Sequence, residues 1–281
     1  MKLKSFTLIE LVTVVSIVGV LSGIMVYGVN DWKDKAYMDE VAAYSNNIKN
    51  KIGGTLVAEW KMEGIETALL YDSGRLGITG TTGGTLTKVN NCPEGNNCIN
   101  SNVANVSFSN SQKFSTVCFW IKPTATSVDI LERTNDFKIY TTSGIVSFNI
   151  YYADATYNTV TYTGKNIYDN KWHYVCGSLN SDETFVGTID GDVFASETVN
   201  VDSFNRGSSM CLGCSANSLF YMDDLVLFAG SLEKGLLVST TVINGTCGAA
   251  ARTYITETDY DGLESFCETG NVSSFPSFPD L

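Results

Sequence analysis

Histidine is almost absent from this chain of 281 residues. The one present is His173, which excludes metal centres built on several histidines and leaves any Ser-His-Asp arrangement a single base to draw on. Proline is nearly as scarce: the four are Pro93, Pro123, Pro276 and Pro279, so nothing before Pro93 breaks a helix. Basic side chains number 18 against 30 acidic ones, a formal net charge of -12, and this balance excludes nucleic acid as a partner, since phosphate contacts need basic patches. Such acidity suits the solubility of an exported protein and permits calcium. No charge at all occurs between Glu10 and Asp31, and no phosphate-binding loop occurs anywhere.

What fills that uncharged stretch is Val, Ile, Leu, Gly and Ser. From Phe6 to Val29 about 24 residues, at ~1.5 Å rise each, make a helix of roughly 36 Å, enough to cross a bilayer core of ~30 Å. Lys2 and Lys4 precede it and set the N-terminus on the cytoplasmic side. Gly19 and Gly23, four apart, allow close helix approach. Glu10 lies inside the apolar run, where a carboxylate costs about 2.5–3.5 kcal/mol, so it needs a designated partner. A secretory signal peptide has a shorter apolar core followed by a small-x-small cleavage site, which this stretch does not match.

Phe6-Thr7-Leu8-Ile9-Glu10, behind a short basic leader, resembles the N-terminus of type IV prepilins and type II secretion pseudopilins. The resemblance implies cleavage between Ser5 and Phe6 by a prepilin peptidase, methylation of the Phe6 amine, and pairing of Glu10 with the terminal amine of a neighbouring subunit during filament assembly. Pairing also removes most of the cost of each isolated charge. The family usually carries Gly where this chain has Ser5. Many members also have a helix-bending Pro that is missing here, so a straighter helix is expected.

Beyond the apolar run, Tyr37, Val41, Tyr44, Ile48 and Ile52 recur at helical spacing and predict one apolar stripe on a polar helix, packed against the exterior domain. Gly53-Gly54 ends that helix. The organisation expected is a leader at 1–5, a membrane or filament helix at 6–29, an amphipathic extension at 30–54, a β domain at 55–243 and a tail at 244–281.

Eight cysteines in an exported domain point to disulfides before metal. Cys92 and Cys98 flank a turn-rich loop, Cys118 and Cys176 lie in two predicted strands and could pair across a sheet, and Cys247 and Cys267 enclose a C-terminal loop. Cys211 and Cys214 form a lone CxxC, with no second CxxC or histidine pair to complete a zinc site, so a small local disulfide is expected.

From Thr55 the apolar period changes from 3.6 to 2. Ten or more short β-rich runs follow, among them 114–122, 137–141, 144–152, 172–178 and 220–228, with Asp190-Gly191 as a two-residue hairpin turn. The fold class is α+β: a long N-terminal helix, then an antiparallel β-sandwich. Phe119-Trp120-Ile121-Lys122-Pro123, Trp172-His173-Tyr174-Val175, Ile189-Asp190-Gly191 and Tyr221-Met222-Asp223-Asp224-Leu225 are similar, in order, to motifs of laminin-G-like, concanavalin A-like jelly rolls. Trp120 and Trp172 are expected to fill the space between the sheets, and His173 to be a packing or hydrogen-bonding residue. Alternation along a strand would turn one of Asp223 and Asp224 inward, where it needs a donor or a cation. The resemblance implies a structural calcium there, with Glu63 and Asp72 as further ligands; the other reading is an aspartate capping backbone amides.

Glu59, Glu63 and Glu66 do not form the alternating acidic strand of glycosidases, and no nucleophile motif accompanies His173, so catalysis is not expected. The function expected is a structural subunit of a type IV pilus or pseudopilus that displays a lectin-like domain for adhesion or glycan binding. The alternative is a membrane-anchored, lectin-like surface module that joins no filament. Partners are then other pilin subunits, the membrane, and a glycan or other surface ligand.

Overall fold

The computed structural model describes residues 8–63 and 69–232, except 75, 84–86, 91, 96, 102–104, 110–111, 155, 200, 202–203, 205–206, 208 and 214–218; side chains at 21, 23–31 and 195–197 are also outside the described set. The cleavage position Ser5–Phe6, Cys214, Cys247 and Cys267 lie outside the described residues. Two compact units divide the chain, Met1–Ala43 and Tyr44–Leu281.

Helix α1 runs from Leu8 to Ile52, 45 residues without a proline, with Glu10 in its first turn. Large apolar side chains from Leu8 to Val20 point outward all round it, Leu8 82% exposed and Val14 52%. The hydroxyls of Thr13 and Ser16 donate back to the carbonyls of Ile9 and Val12, so neither needs water. Among the described residues no helix is long and apolar enough to cross a membrane. The apolar run of the sequence continues to Val29, and the side chains at 21 and 23–31 lie outside the described set. At the far end, Thr55 Oγ1 donates to the Ile52 carbonyl and a single 3-10 turn, Gly53–Thr55, leads into the first strand.

The strands are β1 (Leu56–Trp60), β2 (Leu69–Leu70), β3 (Gly80–Thr82), β4 (Thr87–Asn90), β5 (Asn97–Asn100), β6 (Val106–Ser109), β7 (Thr116–Pro123), β8 (Val128–Arg133), β9 (Phe137–Thr142), β10 (Ile145–Tyr151), β11 (Tyr157–Thr161), β12 (His173–Leu179), β13 (Thr184–Ile189), β14 (Asp192–Thr198), β15 (Ser209–Leu212) and β16 (Phe220–Phe228). They form two eight-stranded antiparallel sheets. The first runs β14-β13-β12-β7-β16-β5-β4, with β1 also on β16; the second runs β11-β10-β9-β8-β15-β6-β3-β2. Val117, Phe119 and Ile121 of β7 and Phe148 and Ile150 of β10 face the space between them, where Trp60 meets Phe108 at 4.5 Å and Phe148 meets Phe185 at 5.0 Å. Asp190 and Gly191 both take positive φ, 55° and 91°, as the predicted β13–β14 hairpin requires.

The outer face of the first sheet is covered as well. Tyr44, Ser45, Ile48 and Ile52 of α1 are buried, and the Tyr44 hydroxyl donates to Thr188 Oγ1 at 2.9 Å. This placement corrects one expectation: Trp120 does not fill the space between the sheets. It alternates with Phe119 and Ile121, so it faces outward and packs on Tyr174 at 5.1 Å, while Tyr44 meets the same tyrosine edge-on at 6.2 Å. Trp172 precedes β12 and is half-buried.

A β-bulge in β16 between Asp223 and Val226, with Asp224 at φ 46°, breaks the alternation that would have sent one aspartate inward. Met222 and Leu225 keep facing the core, and both carboxylates engage groups of the outer side. Lys49 of α1 lies 2.6 Å from Asp224 Oδ2 and 3.3 Å from Glu94 Oε1. The Glu94 amide donates to Asp223 Oδ2 at 2.9 Å, and Ser45 donates to Glu94 Oε1 at 3.1 Å. Burial, opposed by the Glu94 amide and reinforced by the Asp224 charge, pushes Asp223 up to about 8. Burial pushes Asp224 up to about 6 against the pull of Lys49. Burial disfavours the charge on Lys49, but Asp224 and Glu94 outweigh it and raise its pKa.

Cys92 and Cys98 are bonded around the loop that presents Glu94, and Cys118 and Cys176 are bonded between directly opposed positions of β7 and β12, as the sequence suggests. Cys211 is also disulfide-bonded. Chain entropy gives the 58-residue separation of Cys118 and Cys176 the larger effect, about 4 kcal/mol against about 2 kcal/mol for the short loop. Replacing both Cys118 and Cys176 by Ala is expected to lower the unfolding free energy by about 2–4 kcal/mol in a urea titration, and replacing Cys92 and Cys98 by less.

The acidic seam makes stability depend on pH. Both folded pKa values lie above the unfolded value near 4, so the folded state holds more protons between them and stability falls as pH rises from about 4 to about 8. Asp223→Asn should flatten that slope. Lys49→Met leaves Asp224 without its counter-charge and should cost about 3 kcal/mol at pH 8, but much less at pH 5, where Asp224 takes up a proton. Urea denaturation of the full chain at both pH values measures each.

Candidate functional site

The four carboxylates expected to gather around calcium do not gather. Asp72 accepts the amides of Glu59, Gly74 and Ile78 at 2.8, 2.6 and 3.0 Å, which fixes the loop after β1. Glu63 accepts the Asn97 amide at 3.1 Å and its side-chain nitrogen at 2.8 Å. Asp223 caps the Glu94 amide and Asp224 meets Lys49. Among the described residues no group of three or more His, Cys, Asp or Glu is arranged to hold a metal ion. These residues do not fit a calcium ion: a lysine ammonium supplies the positive charge that the buried aspartate needs. The sequence reading missed Lys49, although it lies beside Ile48 at the edge of the apolar stripe.

His173 is fully buried between two carboxylates, with Nδ1 at 2.8 Å from Asp190 Oδ2 and Nε2 at 2.9 Å from Asp169 Oδ1. Lys165 reaches the same Asp190 oxygen at 2.7 Å, and Asp190 Oδ1 accepts the Tyr174 amide at 2.9 Å. Burial alone would raise Asp190, but His173 and Lys165 hold it below the usual carboxylate range. The cluster ties the β13–β14 hairpin to β12, the hydrogen-bonding role expected of His173. Arg133 plays a similar part, buried with its guanidinium on the carbonyls of Phe204, Gly207 and Gln112 and 3.2 Å from Asp136.

The outer face of the second sheet is different in kind. Core positions on β9, β10 and β11 are Phe137, Ile139, Val146, Phe148, Ile150 and Val160. Alternation therefore turns Lys138, Tyr140, Ser147, Asn149, Tyr151, Tyr157, Thr159 and Thr161 to the other side. Register sets Asn149 opposite both Lys138 and Thr159, and Tyr151 opposite Tyr157. Asn149 Oδ1 accepts the Thr159 hydroxyl at 2.8 Å and the Tyr140 hydroxyl at 3.3 Å, while Ser147 and Thr161 share a hydrogen bond of 3.0 Å. The rings of Tyr151 and Tyr157 lie 5.3 Å apart, tilted by 57°. Lys138 bonds Asp129 at 2.9 Å and sits 5.8 Å from the centre of the Tyr140 ring. Although they point away from the core, Ser147 and Asn149 are only 5% and 9% exposed, the floor of a polar surface walled by longer side chains. Burial, then the nearby Glu132, raises the Tyr151 phenol above its ordinary value. None of these residues stood out in the sequence; the available signal was the polar and aromatic alternation at 147, 149, 151 and at 157, 159, 161.

Solved structures share this architecture. The binding domain of botulinum neurotoxin DC, in complex with rat synaptotagmin II, matches with a TM-score of 0.54 and 12% identity over 65% of this chain and 50% of that one. The binding domain of Paraclostridial Mosquitocidal Protein 1 matches with a TM-score of 0.54 and 16% identity over 65% of this chain and 51% of that one. A structure of botulinum neurotoxin type C, whose cell entry depends on interaction with two ganglioside molecules, matches with a TM-score of 0.52 and 14% identity over 66% of this chain and 50% of that one. The matched region spans about half the length of each, and at these identities the likeness establishes the fold. No curated protein matches the chain. The family model described as the concanavalin A-like lectin/glucanases superfamily (Laminin_G_3) matches residues 94–234, half of the sequence, from the Glu94 loop through β16, and the chain belongs to that family.

Proposed function

We infer that this protein is an exported filament subunit, of the type IV pilin or pseudopilin kind, whose concanavalin A-like domain is displayed outside the cell to bind a surface ligand. The observation that carries this reading is the first part of α1. From Leu8 to Val20 nine large apolar side chains are 52–82% exposed around the helix. Burying them is worth on the order of 10–20 kcal/mol. A helix that is apolar all round belongs inside a membrane or a bundle. In the precursor the lipid would cover it, N-terminus inside; after cleavage at Phe6 the helices of other subunits would.

Glu10 is the single carboxylate of that surface, and pairing with the Phe6 amine of a neighbour would set axial register. The head then serves binding rather than catalysis. In support of this, one of its structural neighbours is a toxin binding domain in complex with rat synaptotagmin II, and another is from a toxin whose cell entry depends on interaction with two ganglioside molecules.

Mass spectrometry of protein sheared from cells tests the reading. The expected chain begins at methylated Phe6, and Glu10→Ala is expected to leave processing intact while the subunit disappears from the sheared material. Protein that begins at Met1 and stays wholly in the membrane fraction would favour an anchored lectin-like module instead.

A further inference from the structure

We propose that Lys49 and Asp224 join through a side-chain amide, formed by the chain on itself with loss of water, and that Glu94 carries the proton for the step. The bond needs neither a surface ligand nor a filament partner, and it fixes the last turns of α1 to β16.

Nζ of Lys49 lies 2.6 Å from Oδ2 of Asp224. With a carbon–oxygen bond of about 1.2 Å, Cγ is then no more than about 3.8 Å away, close to the separation of about 3–3.5 Å from which a bond can form. A second carboxylate reaches the same nitrogen. Glu94 Oε1 is 3.3 Å from it, held there by the Ser45 hydroxyl at 3.1 Å and by the loop that Cys92 and Cys98 close. Asp224 is wholly buried, and among the described residues no amide, hydroxyl or ring nitrogen donates to either of its oxygens. The ammonium alone holds it as a carboxylate. Tyr44, Trp120 and Tyr174, buried on the same covered face, keep that layer poor in water.

Two other lysine–aspartate contacts are nearly as short but lack these conditions. Lys165 meets Asp190 at 2.7 Å, yet that carboxylate also engages His173 and accepts the Tyr174 amide, which hold it charged against the effect of burial. Lys138 meets Asp129 at 2.9 Å where both side chains stand partly in water, which solvates the two ions and favours the reverse, hydrolytic reaction.

In the step, the Lys49 ammonium passes one proton to Asp224 Oδ2, leaving a neutral amine beside a neutral acid. Burial aids that exchange by disfavouring both charges, and it has already pushed Asp224 up to about 6. The Nζ lone pair attacks Cγ, the Cγ–Nζ bond forms and the carbonyl electron pair moves to oxygen. Glu94 takes a second proton from the nitrogen and returns it to the hydroxyl. The Cγ–O bond breaks, water leaves and the carbonyl reforms. Ammonium and carboxylate have become amide and water, Glu94 is restored, and neither oxidant nor cofactor is used. Groups held in place react as if at an effective concentration of up to about 10⁵–10⁸ M, which lets such a condensation run forward. Before closure the two groups are the ion pair described above, with its pH dependence; after closure Asp224 no longer titrates.

The test takes the full-length chain in detergent micelles, reduces and alkylates its cysteines, measures the intact mass and then digests it with trypsin. The expected mass is below that of the alkylated sequence by one water. The expected digest holds a branched peptide that joins the segment around Lys49 to that around Asp224, with no cut after Lys49. Lys49→Arg keeps the positive charge but offers no reactive amine, and should show the full mass. Glu94→Gln keeps an acceptor for Ser45 and should slow closure by about a hundredfold or more, seen as unbonded chain in freshly made protein. A parent chain of full mass that trypsin cuts after Lys49 shows an ion pair only and overturns the proposal, as does a loss of water that survives in Lys49→Arg. Closure of Glu94→Gln as fast as the parent overturns the part given to Glu94. The parent chain alone decides whether the bond exists, so a variant that fails to fold cannot hide the answer.

Discussion

Between the last turns of α1 and the first sheet, water is excluded from a surface that a two-layer sandwich would normally leave wet. That exclusion governs what surrounds it. Tyr44, Ile48 and Ile52 can be buried only if the strands beneath present matching groups, and they do: Trp120, Tyr174 and the Cys118–Cys176 bond all face this side. It also makes every charge in the layer expensive, which is why Lys49, Asp224, Glu94 and Asp223 occur as one connected set rather than scattered. The Cys92–Cys98 loop belongs to the same arrangement, since it delivers the amide of Glu94 to one aspartate and its carboxylate to the lysine.

The covered face also explains which parts of the fold the sequence made legible. Long strands with alternating apolar residues, and the Asp190-Gly191 turn, stood out because each is specified locally. The short strands β2 to β6 did not, because two to four residues carry too little pattern to separate from a loop. The side on which Trp120 lies was not readable either. Alternation tells inside from outside only when one side is polar, and in β7 both Phe119 and Trp120 are buried, on opposite faces. The same limit applies to Asp223 and Asp224. Strict alternation would split them, but the bulge at Asp224 reunites them, and nothing in two adjacent aspartates announces a bulge.

At the candidate sites the outcome divides by how far the partners lie along the chain. The hairpin residue Asp190 and His173 are 17 positions apart, and their bond agrees with the role that the neighbouring motif suggested. Lys49 and Asp224 are 175 positions apart (224 less 49), and only the packing of the helix brings them together. The tyrosine face of the second sheet falls between these cases. Its outward positions can be picked out by alternation once β10 and β11 are known to be strands, but which tyrosine meets which depends on register.

α1 passes through a single turn into β1, and β1 is bonded along its length to β16, the last described strand, with Thr55 accepting the Ala229 and Gly230 amides through its carbonyl and hydroxyl oxygens. The start of the domain's first strand and the end of its last described strand are therefore stitched side by side. Because the pair is antiparallel and these two ends are adjacent, a force that separates them would open the β1–β16 ladder from its Leu56–Phe228 end, one pair after another.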